Sequence, residues 1–226
     1  MFDTAHVYQN GRNETMLGEL FKTIPRDSFI IETKVKAAGV GRDGRPSSET
    51  TADDFLEKFN MSLSRLQMDY VDILYLHDVS SPEMLEYKPI VNTLNRLKKQ
   101  KKIRFAGFST HNNMAGVINA AADSDSWDVI LTSYNFTMNN IDEMNSAMEK
   151  AGRAGLGIVA MKTMAGGGFL DKEKKKPINA SAALKWALSN KNVHTTIPRM
   201  TTFGHLETNL KLLDDITLTD QERTEL

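Results

Sequence analysis

Short apolar runs alternate along this chain with longer segments in which apolar residues recur at helical spacing. The runs are rich in β-branched residues, and most are apolar on both faces, which is typical of buried parallel strands. Strands that alternate with helices in this way indicate repeated βα units on a parallel sheet. The pattern predicts six strands, at residues 29–35, 70–76, 103–108, 129–134, 157–161 and 195–197, and the stub of an earlier strand at residues 1–3.

Helix starts can be predicted between these strands. Residues 53–66 place Phe55, Phe59 and Leu63 on one apolar stripe, and Thr51 with Asp54 suits a capping box at its start. Pro89 suits the first turn of a helix that runs into a cluster of lysines. Further starts are predicted at Asn112 or Asn113, Asn139 or Asn140, Asn179 or Ser181, and Thr219 with Glu222. The spacing between strands is irregular, which excludes a short solenoid repeat and favours a (β/α) barrel.

Polar side chains close or follow the six predicted strands. They are Lys34, His77, Ser109, Asn135, Lys162 and Arg199. In a barrel of parallel strands these ends face a common mouth, where binding and catalytic groups gather. Strand ends that simply meet solvent also turn polar, so for any single residue both interpretations stay open.

The first eight residues add a carboxylate and a phenol to this mouth. Asp3 closes the strand stub, and Tyr8 follows closely enough to bend back over Lys34 and His77. A phenol is a weak acid near neutral pH unless a nearby ammonium stabilises its phenolate. Lys34 can supply that ammonium, and Asp3 can hold it in place.

Composition narrows the class of protein without naming a function. The chain has 226 residues, of which 40% are hydrophobic and 25% charged, which is ordinary for one globular domain over residues 1–226. A net charge of -1 gives no global field for nucleic acid or an anionic membrane. The absence of cysteine excludes disulfides and thiolate metal sites. No apolar stretch approaches the roughly 20 residues of a membrane span, so we expect a soluble, cytoplasmic protein.

Asp3, Tyr8, Lys34 and His77 together resemble the catalytic tetrad of the aldo-keto reductases. The resemblance covers nearly the whole chain and rests on motifs in the family's order: FDTAHVYQNGRNETMLGELFK, FIIETKV, YVDILYLHD, GFSTHN, SYNF, IVAMKTMAGGG and TTIPRMTTFGHLETNL. It implies an α/β fold of the (β/α)8 TIM type. Family members carry a β-hairpin, a first strand and a first helix before the FDTA motif, so the resemblance implies an incomplete barrel.

The resemblance also implies an NADP-dependent oxidoreductase that reduces aldehyde or ketone carbonyls of small molecules. Tyr8 would donate the proton, neutral His77 would orient the carbonyl, and Lys34 with Asp3 would support the tyrosine. A cofactor is required because no side chain supplies hydride.

A cofactor site follows from the same resemblance. Ser109 matches a residue that meets the nicotinamide amide, with Thr110 in place of the usual Asn. His205 and Thr208 replace the usual Arg and Glu at the adenosine end. NADP is nevertheless favoured over NAD, because Arg199 matches a cation that contacts the 2'-phosphate. The implied cofactor-binding set is Ser109, Thr110, Met161, Lys162, Gly166, Gly167, Gly168, Arg199, His205 and Asn209; a core role for Met161 and a plain turn at the three glycines stay open.

Two other functions remain open at this point. A lysine at a barrel mouth can form a Schiff base, so Lys34 or Lys162 could serve an aldolase-type reaction. A catalytically impaired cofactor-binding or regulatory protein is the second alternative.

The position of the FDTA motif directly after Met1 predicts two unpaired sheet edges. Apolar side chains such as Phe2, Ile31 and Val193 are then expected to face water or a neighbouring chain. We therefore expect either a homo-oligomer or a marginally stable monomer.

Overall fold

A computed structural model describes residues 1–165 and 178–226 of the chain. Seven parallel strands form one curled sheet whose order in space is their order in sequence. They are β1 (Phe2–Asp3), β2 (Ile31–Val35), β3 (Val71–Leu76), β4 (Ile103–Thr110), β5 (Val129–Ser133), β6 (Gly157–Met161) and β7 (Thr195–Thr196). All seven predicted strands are confirmed, and the largest differences are of two residues: β2 begins at Ile31 instead of residue 29, and β4 extends to Thr110.

Helices follow the strands, as parallel connections require. They are α1 (Arg12–Phe21), α2 (Ala52–Leu66), α3 (Pro82–Leu85), α4 (Lys88–Lys99), α5 (Met114–Ala122), α6 (Ile141–Arg153), α7 (Ala180–Leu188), α8 (Phe203–Lys211) and α9 (Asp220–Glu225). The incomplete (β/α)8 architecture expected from the sequence is confirmed. Helices α1, α3 and α8 were not predicted.

The caps were predicted with mixed success. Thr51 accepts a hydrogen bond from the Asp54 amide at 3.2 Å, but the Asp54 carboxylate binds Lys58, so the predicted box is only half formed. Thr219 and Glu222 form the complete box. Asn179 caps α7, whereas the side chains of Asn113 and Asn140 occupy the cap positions of α5 and α6 without accepting a hydrogen bond from a backbone amide of the helix.

Two hydrophobic cores lie on the two faces of the sheet, because successive side chains of a strand point to opposite faces. The larger core lies between the outer face and the helices and includes Ile31, Phe55 and Leu74. The smaller core fills the inside of the curl and consists of Ile73, Tyr75, Val129, Leu131, Val159 and Met161. Gly107 makes room for it, since a Cβ there would lie 2.6 Å from the Tyr75 ring and 2.6 Å from the Val129 carbonyl oxygen.

Side chains at the N-terminal rim of the sheet bind backbone amides of the preceding strand. Asp72 accepts from the Ile31 amide at 2.9 Å, and Asp128 accepts from the Ala106 amide at 2.8 Å. His194 Nδ1 accepts from the Ile158 amide at 3.1 Å. We call these three side chains the rim clamps; each joins one strand to the next at the end opposite the mouth.

The expected exposure at the sheet edges was correct for one residue and wrong for two. Phe2 is 38% exposed, with its ring edge-on to Phe21 at a centroid distance of 4.8 Å. Ile31 and Val193 are instead buried. Both belong to the larger core, so the helix layer covers them although they lie near the two ends of the sheet.

Candidate active site

Lys34 is the buried cation of the mouth. It lies on β2 with its side chain 2% exposed, and its ammonium donates to the Asp3 carboxylate and, at 2.7 Å, to the Thr4 carbonyl oxygen. A charge so deeply buried requires partners of this kind. Parallel pairing of β1 with β2 places the two side chains together.

Tyr8 lies over this ion pair. The Lys34 Nζ atom is 4.8 Å from the centroid of the Tyr8 ring, within cation–π range. The ring is also edge-on to His77 at a centroid distance of 6.2 Å. Tyr8 is 37% exposed, so its hydroxyl group is open to a ligand at the mouth.

A strained turn after Tyr8 fixes its position. Gln9 and Asn10 adopt φ angles of 50° and 54°, which non-glycine residues seldom adopt. Gly11 follows at φ 85°, where a Cβ would lie 2.3 Å from the Arg65 guanidinium carbon. That guanidinium donates to the His6 carbonyl oxygen at 2.9 Å and so ties the turn to α2.

His77 faces the mouth from the end of β3 in its neutral form. Burial, followed by the nearby Lys34 ammonium, lowers the pKa of His77 to about 4. In the described part of the chain its Nδ1 atom is buried without a hydrogen-bond partner. An unpaired acceptor is tolerated better than an unpaired donor, which favours the tautomer that carries the proton on Nε2.

The residues around His77 hold its loop to the neighbouring strands. Asp78 adopts a φ of 65° and pairs with Lys36 at 2.7 Å, while its amide donates to Ser109 Oγ at 2.9 Å. His111 Nδ1 lies 3.3 Å from Ser133 Oγ, and burial with the Lys162 ammonium lowers the pKa of His111. Both histidines at this mouth are therefore neutral near pH 7.

The residues predicted to contact the nicotinamide differ in the hydrogen bonds and the exposed surface that they still have for a ligand. Ser109 is buried, and its hydroxyl oxygen accepts from Asp78 while its own proton is left to donate. Thr110 is also buried and donates its hydroxyl proton to the Asn112 carbonyl oxygen at 3.1 Å. Met161 belongs to the smaller core and is 8% exposed, so the core interpretation applies to most of its surface.

The other predicted cofactor residues that the structure describes lie directly after β6 or in the segment that leads into and forms α8. Lys162 is exposed and left-handed at φ 52°, directly after β6. Arg199 is exposed with no ion pair among the described residues, and His205 is exposed in the first turn of α8. Asn209 is half-buried on the same helix. The glycines Gly166, Gly167 and Gly168 lie outside the described residues.

Asn135, the other polar residue predicted at a strand end, serves its own turn. Its Oδ1 atom accepts from the Thr137 amide at 3.1 Å and from the Thr137 hydroxyl at 2.8 Å. Local hydrogen bonds of this kind explain an asparagine at a turn without any ligand.

A buried acid and phenol beneath Lys34 were missed in the sequence. Glu32 is fully buried two residues before Lys34, and the Tyr75 hydroxyl donates to its Oε2 atom at 2.8 Å. Burial and then the Asp3 carboxylate raise the pKa of Glu32 to about 8. The available signal was the spacing, because residues two apart on a strand share a face.

A cavity of about 220 Å³ borders His77 between the loops that follow β2 and β3. Lys36, Arg42, Asp78, Ser80 and Asn112 also line it. Residues 1–165 and 178–226 contain no cluster of His, Asp and Glu suited to a metal ion. Over the same residues no helix is both long and apolar enough to cross a bilayer.

A curled parallel sheet with working groups at its C-terminal strand ends defines the class of (β/α)-barrel enzymes. A model of the aldo/keto reductase family matches residues 1–182. The chain belongs to this family of oxidoreductases.

Individual relatives agree with the family match. An L-galactose dehydrogenase from Arabidopsis thaliana is 24% identical over 95% of this chain and 74% of its own length. An NADH-specific methylglyoxal reductase from Escherichia coli is 31% identical over 48% of this chain and 36% of its own length. The crystal structure of an aldo-keto reductase from Klebsiella pneumoniae in complex with NADPH superimposes with a TM-score of 0.74 at 23% identity, covering 99% of this chain and 77% of that one.

Proposed function

We propose that the protein reduces an aldehyde or ketone of a small molecule with a reduced nicotinamide cofactor, NADPH in preference to NADH. The observation that carries the proposal is the meeting of Asp3, Tyr8, Lys34 and His77 at one mouth, with Lys34 Nζ 4.8 Å from the Tyr8 ring centroid. The bound cofactor supplies hydride, which no protein side chain can do.

Tyr8 donates the proton that the reduced carbonyl oxygen requires. Its hydroxyl is exposed at the mouth, and the Lys34 ammonium beside its ring favours the negative charge that remains after the proton leaves. Asp3 and the Thr4 carbonyl oxygen hold that ammonium in place.

His77 orients the carbonyl and does not transfer the proton. With a pKa of about 4 it is neutral near pH 7, so its Nε2–H donates a hydrogen bond without adding a charge. A fixed donor at this position stabilises the developing negative charge on the carbonyl oxygen.

The chain also offers groups that suit the cofactor. Among the described residues, Ser109 retains a hydroxyl proton for the carboxamide and Arg199 has no ion pair. Arg199 precedes the N-terminus of α8, where a phosphate is favoured. Arg199 supports NADPH, in line with the NADPH complex of the Klebsiella relative, although the Escherichia coli relative is named as NADH-specific.

The Schiff-base alternative is less well supported by the surroundings of the two lysines. A lysine that attacks a carbonyl must become a neutral amine, whereas the Lys34 ammonium is held by Asp3 and Thr4. Lys162 is exposed, so the described residues do not desolvate its ammonium.

The decisive experiment measures oxidation of NADPH and of NADH with a panel of small aldehydes and ketones. We expect turnover with at least one carbonyl, a preference for NADPH, and strict dependence on Tyr8. The proposal fails if the folded protein oxidises neither cofactor with any member of the panel, or if borohydride traps a substrate adduct on Lys34 or Lys162.

A further inference from the structure

The proposed mechanism leaves two buried polar side chains without a role. Glu32 and Tyr75 face the inside of the curl directly beneath Lys34, and both are fully buried. Apolar side chains of the smaller core surround them. A buried carboxyl is costly unless it is neutral or well paired, so its presence requires an explanation.

The partners of Glu32 define which atoms carry protons. Tyr75 donates to Oε2 at 2.8 Å, and its own pKa is raised well above the usual value by burial and by Glu32, so the phenol keeps its proton. Within the described residues the Oε1 atom of Glu32 is buried without a donor. The charged or titratable groups that act on Glu32 are Asp3 from β1, Lys34 from β2 and Tyr75 from β3.

A proton on the Oε1 atom of Glu32 would explain why this atom is buried without a donor. A protonated carboxyl can donate from this oxygen. Asp3 is the register partner of Glu32 in the pairing of β1 with β2, so the Asp3 carboxylate is the neighbouring acceptor. Burial and the negative charge of Asp3 both favour the protonated form of Glu32 near pH 7.

We propose that Glu32 is a positioning residue that keeps its carboxyl proton and donates a hydrogen bond to Asp3, so that Asp3 holds Lys34 beneath the Tyr8 ring. Tyr75 in turn fixes the rotamer of Glu32. The hydrogen bonds run from Tyr75 to Glu32, from Glu32 to Asp3 and from Lys34 to Asp3, and the Lys34 ammonium lies against the Tyr8 ring. Deprotonation of Glu32 places a second carboxylate beside Asp3, which draws the ammonium away from the ring.

The test compares Glu32→Gln with Glu32→Ala and rests on the proposed function for its kinetic part. Glutamine donates to Asp3 and accepts from Tyr75 but cannot ionise. We expect wild-type reduction to decline above about pH 8, Glu32→Gln to keep its activity at pH 7 and lose that decline, and Glu32→Ala to lose about ten- to hundredfold in kcat with little change in KM. An unchanged pH profile in Glu32→Gln would overturn the proposal.

A second measurement needs no activity and therefore separates this proposal from the proposed function. The infrared spectrum of the wild type at pH 6 should contain the band of a protonated carboxylic acid that is absent from Glu32→Gln and disappears at high pH. Relative to Glu32→Gln, the stability of the wild type should also fall as pH rises from 4.5 towards 8, because the folded wild type holds a proton on Glu32 that the unfolded chain has lost. Absence of both signals in the folded protein would refute the protonated Glu32 even if carbonyl reduction is confirmed.

Discussion

Proton transfer in the proposed reaction depends on a single hydroxyl group, that of Tyr8. We expect Tyr8→Phe to lower turnover by at least a hundredfold, the contribution typical of a positioned acid, while the affinity for NADPH stays nearly unchanged. Steady-state kinetics and a fluorescence titration of NADPH check the two parts. Tyr70→Phe is the matched control, since Tyr70 precedes β3 at the opposite rim; the role of Tyr8 is wrong if its variant keeps more than about a tenth of wild-type turnover.

Arg199 is the residue on which the choice of cofactor depends. Removing its unpaired guanidinium with Arg199→Ala should weaken NADPH binding by about 1 to 3 kcal/mol, the range for a charge-assisted hydrogen bond, with little effect on NADH. Lys191→Ala removes another exposed cation without a predicted cofactor contact and serves as the control. Equal losses for NADPH and NADH would show that Arg199 does not bind the 2'-phosphate.

The lowered pKa of His77 predicts how the stability of the folded protein depends on pH in acid. Its pKa is 6.5 in the unfolded chain and about 4 in the folded protein, so the unfolded state binds the proton first as pH falls. The contribution of His77 to stability should therefore decrease between pH 6.5 and pH 4, by roughly 3 kcal/mol at the lower end, relative to a variant without this histidine. Urea unfolding at several pH values checks this. His77→Gln should flatten the dependence; His111 has a lowered pKa too, so only the difference between wild type and variant is assigned to His77.

Single residues of the site were predictable to different degrees. Lys34 and His77 stand at strand ends within motifs, so both the pattern and the resemblance pointed to them. Glu32 lies inside a strand run and not at its end, and its spacing from Lys34 predicts only that the two side chains share a face, not that this face is buried. Its importance depends on Tyr75 and Asp3, which come from other strands and meet it only in the folded sheet.

Strand β4 carries a test of how the inside of the curl is packed. Gly107→Ala places a methyl group 2.6 Å from both the Tyr75 ring and the Val129 carbonyl oxygen, so we expect a loss of about 1 to 3 kcal/mol in unfolding free energy. Gly157→Ala on β6 is the matched control, because a Cβ there would lie an ordinary 3.7 Å from the Asp128 carbonyl oxygen. Thermal and urea unfolding of both variants measure the difference. Equal stabilities would show that the Tyr75 ring moves freely.

Strands were easier to predict than helices in this chain. The strands are short runs buried on both faces, and that pattern survives without knowledge of their neighbours. Helix α1 carries Gly18 in its interior, where a Cβ would lie 2.4 Å from the Arg65 carbonyl oxygen of α2. The close contact with α2 requires a glycine there, and glycine is a poor helix former, which makes this helix harder to predict from the sequence. Helix α8 has no buried residue and therefore no buried stripe from which it could have been recognised.

At the scale of the whole molecule, the alternation of strands and helices was enough to predict the parallel sheet, whereas the exposure at its edges was not predictable. Ile31 is covered and Phe2 is not, although both are apolar residues near the same edge. Burial there depends on the helices that pack over the sheet. A strand pattern by itself contains no information on that packing.

The two edges of the sheet lead to a prediction about association. Strands β1 and β7 pair over only two residues each, so they offer little backbone for strand addition. Apolar side chains that follow β7 in the sequence are strongly exposed, with Phe203 at 84% and Leu213 at 78%. We expect the 226-residue chain to self-associate and the double substitution Phe203→Ser and Leu213→Ser to reduce this. Light scattering across a concentration series checks it; a wild-type chain that stays monomeric throughout contradicts the prediction.

The rim clamps have a consequence for how this protein can change over time. Asp72, Asp128 and His194 join neighbouring strands at one end of the sheet, whereas the loops that carry Tyr8, His77 and Arg199 leave from the other end. Substitutions that alter the preference for a substrate therefore fall at the end of the sheet opposite the rim clamps. Libraries for directed evolution should tolerate high diversity in those loops, provided that the three clamps are left unchanged.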